Sequence, residues 1–190
     1  MKGKRNAATG TYRSLFGTTL GLGGVVASEE GLLEVFLPFA GEGEIEMARR
    51  IDSLYPCLRG ENSVTRKAAL LLRKYFTGER VRFSLPVDRR AFTPFQAVVY
   101  TEVAEITYGV VRSYAEIATR IGRPRTARGV GLAMARNPLP IIIPCHRVVG
   151  ASGALTGYSA PGGVMSKQWL LQMEGIEVGG GKSEYVRRSA

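Results

Sequence analysis

The sequence predicts an α+β fold of two domains: an N-terminal domain with a small β-sheet and helices, and a C-terminal helical domain with a helix-turn-helix of winged-helix-like form. Three observations lead to this prediction. Alternating apolar runs open the chain, helical hydrophobic spacing follows Thr93, and a proline-studded stretch ends in PCHRVV at 144–149. A length of 190 residues with 45% hydrophobic content is enough to bury a sizeable core.

The first predicted domain covers residues 1–88. Its expected elements are two hairpin strands at 14–26 and 31–39, helices at 44–54 and 63–76, and a last strand at 80–85. The second helix has the clearest pattern, because its apolar residues recur at helical spacing before Gly78 ends it. Pro86 to Arg90 is expected to link the domains.

The second predicted domain covers residues 89–176. Pro94 opens a helix that runs to about residue 106, and Ser113 forms a capping box with Glu116 at the start of a short helix. The later elements are a turn at 122–124, a helix at 125–136, an extended segment after Asn137, a small-residue loop at 150–163 and a helix at 164–173. The tail, 177–190, is expected to be disordered.

The second helix of the predicted helix-turn-helix is unusually small-sided. Its small residues are Ala127, Gly129, Gly131, Ala133 and Ala135. Each interior glycine costs about 1 kcal/mol relative to alanine, so the pattern needs a reason. One is tight packing against another helix. The other, which we favour because Arg128 projects from the same helix, is close approach of the backbone to a DNA groove.

The charge distribution points to a polyanionic partner. The chain has a net charge of +10, and residues 112–147 hold seven arginines against one acid, a net charge of +6. A solvated basic face is the alternative. We favour nucleic acid because all seven cations are arginine, whose planar guanidinium suits phosphate oxygens and stacks on bases.

Composition argues against several other classes of protein. No apolar stretch reaches the roughly 18 residues of a membrane span, and the basic start, Met1–Thr11, lacks the apolar block of a signal peptide. Two cysteines suit a reducing compartment, so we expect a cytoplasmic protein, nuclear in a eukaryote. One histidine and two separated cysteines do not match the spacing of a structural zinc site, and no metal is expected.

The segment PCHR at 144–147 is the best indication of chemistry. It holds the chain's single histidine next to Cys145, and a thiol becomes a good nucleophile when its surroundings stabilise the thiolate. A buried packing role is the alternative for Cys145, because free cysteine is among the most buried residue types. The adjacent histidine and arginine favour a nucleophile in an electropositive setting. A disulfide with Cys57 would consume that nucleophile.

The motifs after residue 93 resemble those of the O6-alkylguanine-DNA alkyltransferases, which are suicide repair proteins. The matching residues are Thr93-Pro94-Phe95-Gln96, Tyr108-Gly109, Ser113-Tyr114, Ile117-Ala118, Asn137-Pro138, PCHRVVG at 144–150, GYSAPGG at 157–163, Lys167, Trp169-Leu170-Leu171 and Glu174-Gly175. The resemblance covers residues 93–175, whereas the first domain matches only in its general layout. It implies an alkyltransferase domain that works without a cofactor.

The resemblance also implies the catalytic roles. Cys145 is the nucleophile, His146 its base, Glu174 orients the imidazole, Asn137 holds the turn around the active-site strand, and Tyr114 donates a proton or hydrogen bond to the base. In an extended segment, neighbouring side chains point to opposite faces. His146 would then reach the sulfur through a bridging water.

The implied partner is double-stranded DNA that carries O6-alkylguanine, bound through its minor groove with the damaged nucleotide flipped out. Arg128 would fill the gap that the flipped nucleotide leaves in the base stack. The other expected DNA contacts are Ser113, Arg125, Thr126, Ala127, Gly129, Gly131 and Arg136, and the expected base pocket is formed by Met134, the backbone of Val148, Tyr158 and Ser159. Without the motif, Tyr158 and Glu174 would be assigned structural roles. A monomer is expected, and neither zinc nor a methylation-sensing role is implied.

Two other functions compete with repair. A non-enzymatic lesion binder of the alkyltransferase-like kind would flip the base without reacting, but such proteins lack the acceptor thiol that Cys145 supplies here. A cysteine hydrolase could use Cys145 with His146, but it would leave the arginine-rich helix pair unexplained. Turnover of an ester substrate would distinguish the hydrolase.

Overall fold

A computed structural model describes residues 10–38, 43–179 and 185–186. The chain divides into two compact units between Arg90 and Ala91, close to the boundary that the sequence places after residue 88. The first unit combines a small sheet with two helices, and the second is mainly helical. The predicted α+β class is confirmed.

The first unit contains a four-stranded sheet of order β3-β2-β1-β4. Its strands are β1 (Thr11–Thr18), β2 (Gly21–Ala27), β3 (Leu32–Phe36) and β4 (Leu58–Arg59). The first three pair antiparallel in sequence order, whereas β4 runs parallel to β1. The prediction of a single strand at 14–26 is wrong because the Thr18 hydroxyl accepts the Leu20 amide and Gly21 takes a φ of 118°, which reverses the chain.

Both predicted helices of the first unit are confirmed as α1 (Glu44–Leu54) and α2 (Ser63–Phe76). Asn62 caps α2 by accepting the Thr65 amide at 2.8 Å. Part of the core forms where α1 packs against the sheet, and its buried residues are Val26, Phe36, Met47, Ile51 and Tyr55. The end of the predicted strand at 31–39 falls on Phe39, which lies outside the described residues.

The predicted strand at 80–85 is wrong. Side chains there alternate between half-buried and exposed, as expected for extended chain, but the segment has no ladder partner within the part of the chain that the structure describes. Pairing is limited to one parallel bridge, Leu32 with Val87, in which Leu32 donates to the Pro86 carbonyl at 2.9 Å. Alternation therefore indicated an extended, half-buried segment without indicating a neighbouring strand.

The second unit begins with the predicted helices. They are α3 (Pro94–Ala104), α4 (Tyr114–Arg120) and α5 (Ala127–Ala135), followed after the cysteine turn by α6 (Gly163–Met173). The pair α4 and α5 forms the predicted helix-turn-helix, although α5 begins two residues later than expected. Short strands β5 (Arg112–Ser113) and β6 (Val148–Val149) run parallel and tie the start of α4 to the segment after the cysteine.

The segment at 138–147 is folded, not extended as predicted. Ile143 donates to the Leu139 carbonyl at 2.8 Å, Ile141 takes a φ of 72°, and Cys145–Arg147 form a single 3-10 turn. The prediction failed because the apolar run at 141–143 indicates burial without indicating conformation. Because Cys145 and His146 lie in this 3-10 turn, their side chains do not follow the alternation of a strand.

Part of the tail is ordered, contrary to the prediction for 177–190. Strands β7 (Val178–Gly179) and β8 (Tyr185–Val186) pair antiparallel. Val186 is 3% exposed and packs with Val149, Leu155 and Leu171, so apolar burial holds it in place. Residues 180–184 and 187–190 lie outside the described part of the chain. None of the helices in the described ranges is long and apolar enough to span a membrane.

Candidate active site

An open cavity of about 680 Å³ in the second unit brings the predicted nucleophile together with α4, α5 and the small-residue loop. Its lining residues are Tyr114, Ala115, Ala127, Arg128, Gly131, Met134, Ala135, Cys145, Ala151, Thr156, Gly157, Tyr158 and Ser159. Most of these side chains are small or apolar, so the cavity is suited to a largely uncharged group. Arg128 is exposed and places a cation on the wall.

Cys145 is 6% exposed, and burial raises the pKa of its thiol. Asn137, through a hydrogen bond, and Lys167, through its charge, act in the opposite direction. From the sequence, this electropositive effect was expected of the neighbours His146 and Arg147. That assignment is wrong for Arg147, whose guanidinium binds Glu174 and the Ile106 carbonyl. The cation that favours the thiolate is Lys167.

The Glu174 side chain is fully buried among donors from His146, Arg147 and the Gly109 amide, which lies 3.2 Å from Oε2. Its Oε1 lies 2.8 Å from His146 Nε2, and Arg147 donates through Nε to Oε2 at 2.9 Å and through Nη2 to Oε1 at 2.8 Å. Burial alone raises the pKa of Glu174, but the hydrogen bonds and charges of His146 and Arg147 outweigh it and hold the pKa well below its usual range. The carboxylate is therefore ionised.

His146 is also fully buried, and burial lowers its pKa against the opposing influence of Glu174. The imidazole is therefore neutral at pH 7. Because an ionised carboxylate only accepts hydrogen bonds, we assign the imidazole proton to Nε2, which leaves the lone pair on Nδ1. Glu174 thus fixes both the orientation and the tautomer of a neutral base next to Cys145.

Asn137 spans the folded segment that precedes the cysteine. Its Nδ2 donates to the Ile143 carbonyl at 2.8 Å, and its Oδ1 accepts the Leu139 amide at 3.0 Å. These two bonds close the turn that contains Ile141, whose positive φ is costly for a β-branched residue. Asn137 also acts to lower the pKa of the Cys145 thiol. The residue therefore lies where the sequence analysis expected it, although it holds a turn in place of a strand.

Lys167 is a candidate functional residue, which the sequence motifs include without assigning it a role. It is 0% exposed, its Nζ donates to the Val148 carbonyl at 2.6 Å, and it lies 5.9 Å from the centroid of the Tyr114 ring. Burial lowers its pKa to about 8. The signal was available, because Lys167 occupies the same helical face as the buried Leu170 and Leu171.

Tyr114, the first residue of α4, faces the cavity as expected. Its hydroxyl donates to the Thr156 carbonyl at 3.2 Å, and burial raises its pKa. A protonated phenol is therefore available at the cavity wall.

The expected base pocket is present in part. Met134, Tyr158 and Ser159 line the cavity. Val148 does not line it, because the residue is buried and its carbonyl accepts a hydrogen bond from Lys167.

Tyr158 lies next to the nucleophile. Its buried hydroxyl has no hydrogen bond of ordinary geometry among the described atoms, but it is close enough to Cys145 for the two groups to influence each other's pKa. Burial, with a contribution from the Cys145 charge, raises the pKa of Tyr158 well above its usual value. The phenol is therefore protonated.

The structure divides the expected DNA-contact residues into three groups. Ala127, Arg128 and Gly131 line the cavity. Arg125 and Arg136 are exposed, and Thr126 precedes α5 with its hydroxyl bonded to Arg123. Ser113 and Gly129 form the third group, because both make contacts within the protein.

Ser113 is 3% exposed, and its hydroxyl is engaged with Glu116 in the capping box, so the expected DNA contact of Ser113 stays a prediction that this burial does not favour. A Cβ on Gly129 would lie 3.3 Å from the Phe95 ring. The packing alternative is therefore correct for Gly129, whereas Gly131 opens onto the cavity.

No group of three or more metal-ligating side chains converges among the residues that the structure describes.

Comparisons with known proteins agree with this geometry. A family model described as "6-O-methylguanine DNA methyltransferase, DNA binding domain" matches residues 94–176. A methylated-DNA--protein-cysteine methyltransferase of Mycobacterium leprae is 42% identical over 147 residues, which cover 75% of this chain and 87% of the relative. The chain belongs to the methylated-DNA--protein-cysteine methyltransferase family. The resemblance seen in the sequence motifs is thereby confirmed.

Other members of the family match over different lengths. The Mycobacterium tuberculosis protein of the same name is 52% identical over 103 residues, 54% of this chain, and the match spans about three fifths (61%) of its length. A crystal structure of the M. tuberculosis O6-methylguanine methyltransferase superposes with a TM-score of 0.67 at 35% identity, over 86% of this chain and 92% of the other. The OGT protein of M. tuberculosis has also been solved in complex with DNA.

Proposed function

We propose that this chain repairs DNA by moving the alkyl group of O6-alkylguanine onto Cys145, once per protein molecule. The observation that carries the proposal is the position of Cys145 in a cavity bordered by α5 and backed by the buried His146 and Glu174 pair. Family membership supports the same reaction. No cofactor takes part, because the alkyl carbon itself is the electrophile.

The reaction begins at the sulfur. A water between His146 Nδ1 and Cys145 Sγ relays the thiol proton to the imidazole, and the ionised Glu174 stabilises the imidazolium that forms. The positive charge of Lys167 favours the thiolate. Sγ then forms a bond to the alkyl carbon while the bond between that carbon and O6 breaks.

The guanine must not leave as a bare anion. The phenol of Tyr114 lies on the cavity wall with a raised pKa, so it holds a proton that it can share with the base. Tyr158 and Ser159 contribute polar atoms to the same wall. The small side chains of Ala127, Gly131 and Ala135 leave space for the purine ring on the side of α5.

The partner is double-stranded DNA bound through its minor groove, with the damaged nucleotide rotated out of the stack. Arg128 suits the gap that the nucleotide leaves, because it is exposed on α5 at the cavity rim. Arg125 and Arg136 lie exposed at the two ends of the same helix, where their guanidinium groups suit phosphates. We expect a reducing compartment, because alkyl transfer needs Cys145 as a free thiol and both cysteines are free, and we expect the protein to act as a monomer.

The experiment measures loss of the methyl group from a duplex that carries one O6-methylguanine, under single-turnover conditions. Cys145→Ala should abolish transfer but retain DNA binding, whereas the matched variant Cys57→Ala, at the exposed cysteine, should react like the wild type. Full repair by Cys145→Ala would overturn the proposal. Continued product formation beyond one equivalent would favour a hydrolase, and damage-specific binding without transfer by the wild type would favour a lesion binder.

A further inference from the structure

The C-terminal strand β8 contacts the loop that forms one wall of the active-site cavity. The Val186 amide donates to the Gly153 carbonyl at 2.9 Å. A Cβ on Gly153, which has a φ of 85°, would lie 2.4 Å from the Val186 carbonyl oxygen, so the two backbones touch. Both strands of the tail lie beyond residue 176, where the match to the family's DNA-binding domain ends.

Apolar packing reinforces this backbone contact. Val186 is 3% exposed and Leu155 is 7% exposed, and both belong to a cluster with Val149 and Leu171. Val178, which pairs with Val186 across the two-stranded sheet, packs against the same cluster. Burial of Val186 therefore joins the tail, the end of α6 and the loop into one packed group.

The loop passes directly from this cluster to the cavity. Thr156 follows Leu155, and its carbonyl accepts the Tyr114 hydroxyl at 3.2 Å. Residues 156–159 line the cavity, and Ala151 lines it from the first half of the loop. Because residues 150–154 are small, this half has little side-chain packing of its own and depends on its neighbours for a fixed shape.

We propose that Val186 is a positioning residue for alkyl transfer: it fixes the loop at 150–159 so that Tyr158 and Ser159 meet the extruded base. The inference rests on the proposed function, and it adds that the tail contributes to the reaction by holding this loop. Val186 does not touch the reacting atoms. It acts through Gly153 and Leu155, and the Tyr114 hydroxyl is held by the residue that follows Leu155.

The test replaces Val186 with aspartate in the full chain. We expect faster hydrogen–deuterium exchange in the peptide that contains 150–159, and transfer slowed about 10- to 100-fold, because a displacement of about 1 Å can cost about 100-fold in rate. The loss should be similar with methylated duplex and with free O6-benzylguanine. Affinity for unmodified duplex should stay unchanged, because α5 is not altered.

Three further variants separate the effect of losing Val186 burial from a general effect of the substitution. Val186→Ile keeps the burial and should restore wild-type exchange and rate, while Leu70→Asp introduces the same charge on an exposed part of α2 and should change neither. If Val186→Asp does not fold, Val186→Ala provides the same two measurements. Wild-type exchange at 150–159 together with a wild-type rate would overturn the inference. A wild-type protein that transfers nothing would refute the proposed function, while the exchange data would still test whether Val186 holds the loop.

Discussion

Replacing Lys167 with methionine separates stability from reactivity. The ammonium group is fully buried, where it donates to the Val148 carbonyl and favours the Cys145 thiolate. Methionine has a similar length and no charge, so the substitution removes the cation while filling the same space. We expect the variant to be as stable as the wild type or more stable, and to react more slowly.

The expected magnitude follows from the pKa. Burial lowers the pKa of Lys167 from 10.5 to about 8. At about 1.4 kcal/mol per pKa unit, keeping the ammonium charged in the fold costs about 3 kcal/mol. Loss of its charged hydrogen bond offsets about 1.5–3 kcal/mol of that gain. The variant should therefore be more stable by about 0–2 kcal/mol at pH 7.

The pH dependence of the free energy of unfolding tests the sign of this stability difference. Between pH 8 and 10.5 the unfolded lysine keeps its proton while the folded one loses it, so the wild type becomes more stable as pH rises through this window. Urea unfolding of both proteins at pH 7 and pH 10 should therefore show the variant's advantage shrinking at the higher pH.

Reactivity should change in the opposite direction. Without the Lys167 charge the pKa of Cys145 rises further, and each unit lowers the thiolate fraction about tenfold. The single-turnover rate with free O6-benzylguanine measures this loss without the DNA-binding step. A variant that is destabilised by more than about 2 kcal/mol and transfers at the wild-type rate would refute the reasoning.

Three further substitutions test other parts of the chain. Glu174→Gln should slow single-turnover transfer about 10²- to 10⁴-fold and lower the free energy of unfolding by about 3–5 kcal/mol, because Arg147 stays buried without its counterion. Arg128→Ala should impair repair of duplex DNA while leaving the reaction with free O6-benzylguanine nearly intact, and equal losses would contradict its role in base extrusion. Asp88→Asn should cost about 1–2 kcal/mol at pH 7, because Arg90 and Ser28 lower the pKa of Asp88 to about 2; in the wild type this stability is lost below about pH 4 in acid unfolding.

Helices were predictable from the sequence because their signals are local. Thr93 and Ser113 each begin a helix through a capping box with the residue three positions later, and the structure contains both bonds. Strands were predicted less accurately, since a strand needs a partner that local sequence does not specify. Residues 80–85 alternate as a strand would, yet they lack a ladder neighbour.

The site was predictable as a set of residues and less so as a set of contacts. The resemblance assigned Cys145, His146 and Glu174 together, and the structure places the imidazole 2.8 Å from the carboxylate. It did not reveal that Arg147 turns inward to Glu174, because that contact depends on tertiary packing. The helical face of Lys167 indicated its burial, but not its effect on the thiol, which also depends on tertiary packing. The ordering of Val186 was missed for the same reason, since its burial partners are distant in sequence.

The central claim is that Cys145 accepts the alkyl group directly. The most direct measurement is mass spectrometry of the digested protein after incubation with a duplex that carries one O6-methylguanine. We expect one methyl group on the peptide that contains Cys145, none on the peptide that contains Cys57, and a yield that reaches its limit at one methyl group per protein molecule. An unmodified Cys145 peptide from a reaction in which the duplex has lost its methyl group would contradict the account.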